Sequence, residues 1–187
     1  MKRILTLGVA LLVAVAAVAQ EAPKKFGIKS GEFKSEMDMM GQKVVTTTYF
    51  ADYGNLQLSK MKMSVMGMDM DMGTLMRDGK TYVINYADKT VQESPTQESI
   101  NYMNLDDATV AKYKIKAEGV EEVAGKSCLI FSAEINQMGQ TAKVKASIWE
   151  GIPMKNVASV MGMDLVTKVT EVKEYDVDLS LFELPKF

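Results

Sequence analysis

The chain contains no histidine, and this absence removes several kinds of chemistry. Histidine is the usual general base near neutral pH and the commonest protein ligand of zinc and copper(II). The acidic pairs Asp106-Asp107 and Glu121-Glu122 are poor substitutes, because adjacent acids near a helix start or on a turn usually cap or face solvent. No glycine-rich phosphate loop joins a strand to a helix. The protein is therefore expected not to be an enzyme and to need no cofactor.

Cysteine is represented by one residue, Cys128, so no internal disulfide can form and stability must come from packing. Cys128 begins an apolar run that continues to Phe131, which favours a small buried hydrophobe over a reactive thiol. Clusters of basic residues are also missing, since 22 Lys and Arg are spread among 24 Asp and Glu. Because nucleic acids require clustered positive charge, no nucleic-acid partner is expected.

Long apolar runs are limited to the N-terminus. Lys2 and Arg3 precede an apolar stretch over residues 4–18, and small residues lead up to Ala19. The stretch is shorter than the roughly 20 residues of a membrane-spanning helix and matches a cleavable signal peptide. The sequence predicts a signal peptide over residues 1–19, a linker over 20–27 and one domain over 28–187. The protein is expected in the periplasm or secreted, and not spanning a membrane.

The rest of the chain has the pattern of antiparallel strands. Short alternating apolar and polar runs, separated by turn residues, predict about nine strands connected mainly by hairpins. A short helix is expected over residues 107–111, with Asn104 or Asp106 as its cap. The turn signals lie at Gly41, 52–55, Gly67, 78–79, 87–88, Gly125, Gly139 and Gly162. The predicted fold is mainly β (α+β), a meander with one or two short helices.

Two short segments recur in the same order. Residues 36–42 (EMDMMGQ) resemble 134–140 (EINQMGQ), and 64–69 (SVMGMD) are identical to 159–164. Either an ancient duplication of a hairpin unit or convergence of matched turns would explain this. All four segments carry methionine at a predicted turn. If the two parts of the sheet run in the same sense, these turns form a methionine-lined rim.

Methionine is abundant, with sixteen residues in the chain. Six fall between residues 61 and 72, and on a strand the last four would share one face. Three interpretations remain open: packing or the lining of an apolar cavity, capture of a soft metal ion, and a surface for a partner protein or a membrane. The candidate ligand-binding residues are Met61, Met63, Met66, Met68, Met70, Met72, Trp149, Met161 and Met163.

Three segments carry a family resemblance. Residues 147–155 (SIWEGIPMK) and the terminal 181–185 (LFELP) resemble the periplasmic lipoprotein-carrier superfamily (LolA/LolB-like). Residues 123–128 (VAGKSC) are similar to a related family of exported Bacteroidetes proteins. The resemblance implies a curved antiparallel half-barrel whose concave face is covered by helices and encloses an apolar cavity. In the carriers that cavity receives acyl chains. An arginine helps to hold the lid of the carriers, and Arg77 does not match that arginine in position.

These observations predict an exported binding protein that holds a hydrophobic ligand, an acyl chain or a lipid, in a methionine-lined cavity. Two alternatives use the same residues differently. One is a methionine-based copper(I) or silver-binding protein, and the other is an envelope protein-interaction module without a small ligand.

Overall fold

A computed structural model of the chain describes residues 22–39, 42–65, 68–95, 99–137, 140–160 and 163–187. The predicted signal peptide lies outside these ranges. The strands are β1 (Gly31–Met39), β2 (Gln42–Ala51), β3 (Leu56–Val65), β4 (Met68–Arg77), β5 (Lys80–Asn85), β6 (Thr90–Ser94), β7 (Lys116–Val123), β8 (Lys126–Gln137), β9 (Gln140–Trp149), β10 (Ile152–Val160) and β11 (Met163–Glu174). The helix α1 spans Asp107–Tyr113, and short 3₁₀ turns span Asp52–Gly54 and Leu179–Phe182. Within these ranges no helix is long and apolar enough to cross a membrane.

All the strands belong to one antiparallel sheet in the order β6-β5-β4-β3-β2-β1-β11-β10-β9-β8-β7. The predicted mainly β, antiparallel fold with a short helix is confirmed, and the sheet is open because β6 and β7 form its two edges. Eleven strands replace the expected nine partly because a tight turn at Glu150 and Gly151 separates β9 from β10. Both residues have positive φ, 47° and 75°, as in the two-residue turns that suit a twisted hairpin.

Hairpin direction brings the four turns of the repeated segments to one end of the sheet. Successive strands alternate in direction, so the β1–β2, β3–β4, β8–β9 and β10–β11 hairpins all turn at the same end, here called the methionine end. The central turn residues lie outside the described ranges. Across the sheet, β8 to β11 are followed by β1 to β4 with the same sense and order. This equal order is what a duplicated four-strand unit requires, and an unequal order would have contradicted it.

The helix begins where the sequence predicts. The Thr109 amide donates a hydrogen bond of 2.7 Å to the Asp106 carboxylate, which lowers the pKa of that carboxyl. Of the two expected caps, Asp106 is therefore the one used. The helix ends at Lys114, whose φ of 49° is left-handed. A left-handed residue directly after the last turn is a common way to end a helix.

Replacing Asp106 with alanine is expected to fray the first turn of α1, because the Thr109 amide loses its acceptor. The lowered pKa means that the ionised cap stabilises the helix above the ordinary aspartate pKa, near 3.8, and that this contribution is lost as the pH falls through the folded-state pKa. Hydrogen exchange of the Thr109 amide between pH 2 and 7 measures both effects. Asp106→Asn, which keeps the acceptor but does not titrate, should retain protection with a weaker pH dependence. Unchanged protection in Asp106→Ala would rule the cap out.

Aromatic side chains cover one face of the sheet. Phe33 pairs with Thr48, so Phe33 and Phe50 share a face, and both are buried. Phe26, in the segment that the sequence assigns to a linker, packs edge-on against Phe50 with 5.2 Å between ring centroids. The amides of Lys25 and Phe26 both donate to the Tyr53 carbonyl oxygen, at 2.9 and 2.8 Å. The N-terminal segment is thus fixed to this face.

A second apolar cluster lies on the other face. Leu58 pairs with Leu75, and both are almost fully buried beside Ile84. The chain beyond β11 covers them with Val177 and Phe182. The Arg77 guanidinium fixes this segment by donating a hydrogen bond of 2.9 Å to the Phe182 carbonyl oxygen. Arg77 therefore holds the C-terminal segment to the sheet.

Candidate functional site

Four methionines of β3 and β4 form two directly opposed pairs. Met61 pairs with Met72 and Met63 with Met70, and we call these four residues the methionine tetrad. Directly opposed residues share a face, with Cβ atoms about 4.5–5.5 Å apart. Three of the four are half-buried, and Met70 is 39% exposed. The tetrad is thus one continuous thioether surface that solvent reaches.

The surface continues onto neighbouring strands. Thr46 of β2 pairs with Met61, and Val44, on the same face of β2, pairs with Met37 of β1. Val44 is only 3% exposed, although the strands there lie near the methionine end. We call the face that carries Met37, Val44 and the tetrad the methionine face. The phenylalanines Phe33 and Phe50 lie on this same face, farther from the methionine end.

Cross-strand pairing extends the methionine face over the second half of the sheet. An unbroken row of paired residues runs from β1 to β8, consisting of Met37, Thr167, Asn156, Ala146 and Phe131. At Phe131 the row meets the segment between β6 and α1, where the Tyr102 ring lies 5.3 Å from the Phe131 ring. This segment is tied to the N-terminal one, since the Asn101 side chain donates 2.9 Å to the Lys24 carbonyl oxygen. These two segments therefore cover Phe131 and Phe50, and both residues lie away from the tetrad.

The methionine face carries no charge in the described part of β1 to β4. Register and alternation place the charged residues with described side chains on the opposite face. They are Glu32, Lys34, Glu36, Asp38, Lys43, Lys60, Lys62, Asp71 and Arg77. Ion pairs join several of them, including Lys62 to Asp71 at 2.9 Å and Lys34 to Glu171 at 2.8 Å. Around the tetrad, the opposite side of the sheet is thus suited to water, and the methionine face to apolar contact.

The structure brings only part of the predicted site together. Met68 and Met163 begin β4 and β11 at the methionine end, whereas Met66 and Met161 lie outside the described residues. Trp149 ends β9 at the other end of the sheet, with the Lys126 ammonium 4.1 Å from its ring centre. Trp149 is therefore not part of the methionine surface. Sequence reasoning missed Met37 and Val44, which the alternation of Phe33, Ser35 and Met37 along β1 could have revealed.

Neither of two cavities found among the described residues includes the tetrad. One of about 450 Å³ is lined by Ile28, Tyr53, Tyr175 and their neighbours, and another of about 290 Å³ lies beside Lys116 and Lys143. Both contain charged side chains, which makes them poor places for an apolar ligand. The methionines of the tetrad form an open face rather than the wall of either cavity.

The polar groups near the second half of the sheet are engaged structurally. Glu121 accepts hydrogen bonds from buried Ser147 and from the Lys155 ammonium, which lies 3.0 Å away. These bonds lower the pKa of Glu121, so the carboxylate stays ionised and is a weak base. Cys128 has no exposed surface, and burial raises the pKa of its thiol. Both residues fit a structural role.

No family model matches the chain, and no curated protein matches it significantly. An uncharacterized conserved protein from Thermus thermophilus has a similar structure, with a TM-score of 0.58 and 11% identity over 84% of this chain and 86% of that one. A chain of the Pseudomonas aeruginosa MucA/MucB complex is also similar, with a TM-score of 0.54 and 11% identity over 83% of this chain. Only 56% of that chain is covered, so this protein spans about half of it.

A looser match is an outer membrane lipoprotein-sorting protein domain from Vibrio parahaemolyticus, with a TM-score of 0.32, 10% identity, and coverage of 82% of this chain and 89% of that one. A TM-score this low supports no argument about the present chain. The Thermus and Pseudomonas matches, at their low identity, establish the fold alone. They show that the open antiparallel sheet is an architecture that this chain shares with both proteins.

Proposed function

We propose that this protein is an exported binding protein that holds a hydrophobic ligand, an acyl chain or a lipid, on the methionine face. The observation that carries the proposal is the contrast between the two sides of the sheet. Near the methionine end one side presents half-exposed methionines without a charged group, and the other carries ion pairs such as Lys62 to Asp71. Farther from that end, the C-terminal segment covers the apolar residues of the other side. Apolar surface withdrawn from water contributes about 25 cal/mol per Å², so a ligand lying on this face would be stabilised by burial alone.

Methionine suits this task because its side chain is flexible and polarizable and adapts to ligands of different shape. Each methylene of an acyl chain that is fully buried contributes about 0.8 kcal/mol. The row from Met37 to Phe131 offers such a chain a path across the strands toward the segment that carries Tyr102. That segment and the N-terminal one would border the ligand. The proposed mechanism is sequestration, with no chemical step.

The proposed location rests on the predicted signal peptide. The fold is also compatible with a protein ligand, since one of the similar structures is a complex of two proteins, MucA and MucB. A partner segment with apolar side chains would bury the same methionines as a lipid does. The test must therefore separate a small ligand from a protein.

Native mass spectrometry of the protein purified from the envelope of its host, without denaturation, is the decisive experiment. Extra mass matching a lipid is the expected result, whereas a bound protein would favour the interaction module. The delipidated protein should then enhance the fluorescence of a neutral apolar probe such as N-phenyl-1-naphthylamine, and an added fatty acid should displace the probe. A bare chain that takes up no probe would contradict the proposal.

A further inference from the structure

We infer that the methionine tetrad is also a binding site for one soft monovalent metal ion, copper(I) or silver(I). This goes beyond the proposed function, because the ligand is a different chemical class and needs only two strands. The observation behind it is the register of β3 and β4, which opposes Met61 to Met72 and Met63 to Met70. Alternation alone places methionines on one face, and this register sets four of them opposite one another as two adjacent pairs.

The pairing defines a small rectangle of thioethers. Directly opposed Cβ atoms lie about 5 Å apart, and residues two apart on a strand lie about 7 Å apart. Methionine has three rotatable side-chain bonds, so the four sulfur atoms can converge above the centre of the rectangle. Met70 is 39% exposed, which leaves an approach for the ion from solvent.

The donor set decides which ion is accepted. Thioethers are soft, neutral ligands that select copper(I) and similar ions over magnesium, calcium or manganese. The Asp71 carboxylate projects from the opposite face and is paired with Lys62 at 2.9 Å, so it is not turned toward the tetrad. No anionic ligand neutralises the ion, so its full charge is partly removed from water. The free-energy cost of this desolvation grows with the square of the charge. Zinc(II) is therefore disfavoured relative to a monovalent ion.

Titration with silver nitrate in chloride-free buffer, followed by native mass spectrometry and calorimetry, tests the site without a reductant. The wild-type protein is expected to bind one silver ion tightly, and copper(I) under anaerobic conditions should compete for it. The variant Met61→Leu/Met63→Leu/Met70→Leu/Met72→Leu should lose this ion while keeping its circular dichroism spectrum and its uptake of the neutral probe. Leucine preserves the apolar surface and removes only the sulfur.

Met37→Leu/Met76→Leu is the matched control, because both residues lie on the methionine face outside the tetrad. It should bind silver as the wild type does. Should the fourfold variant fail to fold, Met61→Leu/Met72→Leu leaves one pair and is expected to weaken silver binding about tenfold or more. Equal silver binding by the tetrad variant, an equal loss in the control, or zinc(II) binding as tight as silver would each overturn the inference. Silver binding without probe uptake would instead contradict only the proposed function.

Discussion

A variant carrying Met63→Lys and Met70→Lys should lose its uptake of the neutral apolar probe. These two residues oppose each other in the tetrad, so the substitutions place two ammonium groups on a face that has no charge in the described part of β1 to β4. A ligand covering them would have to desolvate both ions, at several kcal/mol each if burial were complete. Partial exposure reduces this cost, and we expect the affinity for the probe to fall at least about tenfold. Fluorescence titration measures it.

The control for this variant adds the same charge to the other side. Val45 and Ser64 lie on the opposite face of β2 and β3, and both are exposed. Val45→Lys/Ser64→Lys should therefore bind the probe as the wild type does. If both double variants lose probe uptake equally, net charge rather than the methionine face controls binding. If neither loses it, the ligand lies elsewhere.

Phe50→Ala should lower the free energy of unfolding by about 3–5 kcal/mol, the usual cost of removing a buried phenylalanine. Phe50 has no exposed surface, and its ring centroid lies 5.2 Å from that of Phe26 and 6.2 Å from that of Phe33. Removing the central ring leaves a cavity between the sheet and the N-terminal segment. Urea unfolding followed by circular dichroism measures the change.

Phe187→Ala provides the comparison, because Phe187 is 55% exposed and touches only one aromatic ring, that of Tyr86, in the described structure. We expect a change within about 0.5 kcal/mol, as is usual for surface positions. A small effect of Phe50→Ala would mean that the N-terminal segment contributes little to the core. Hydrogen exchange at the Phe26 amide would then show whether that segment remains attached to the Tyr53 carbonyl.

Local patterns were sufficient for the elements of the fold. Alternation along the chain predicts the antiparallel strands, and a capping side chain followed by helix-forming residues predicts α1 with Asn104 or Asp106 as its cap. These predictions succeed because they depend on neighbours within a few residues. The turn at Glu150 and Gly151 shows the limit of the approach. It is not among the predicted turn signals, and Glu150 adopts a positive φ that is uncommon for a residue other than glycine.

The candidate site was only partly predictable. The spacing of Met70 and Met72 with Asp71 between them correctly indicates which side chains share a face, because alternation is a property of the single strand. Trp149 was grouped with the methionines from chemistry alone, and the structure places it at the other end of the sheet. Which end of a strand meets which partner depends on strand direction in the assembled sheet, which no local pattern encodes.

The sequence by itself excluded chemistry that needs histidine and indicated an architecture rich in strands. It also determined the alternation that gives β3 and β4 a methionine side and a polar side, and the repeated segments that carry methionine. Only the tertiary structure decided that β1 pairs with β11. This pairing joins residues more than a hundred positions apart, and it carries the methionine face from the tetrad across to Phe131. The physical reason is that a strand edge can pair with any compatible edge, so the choice depends on the packing of the whole chain rather than on nearby residues.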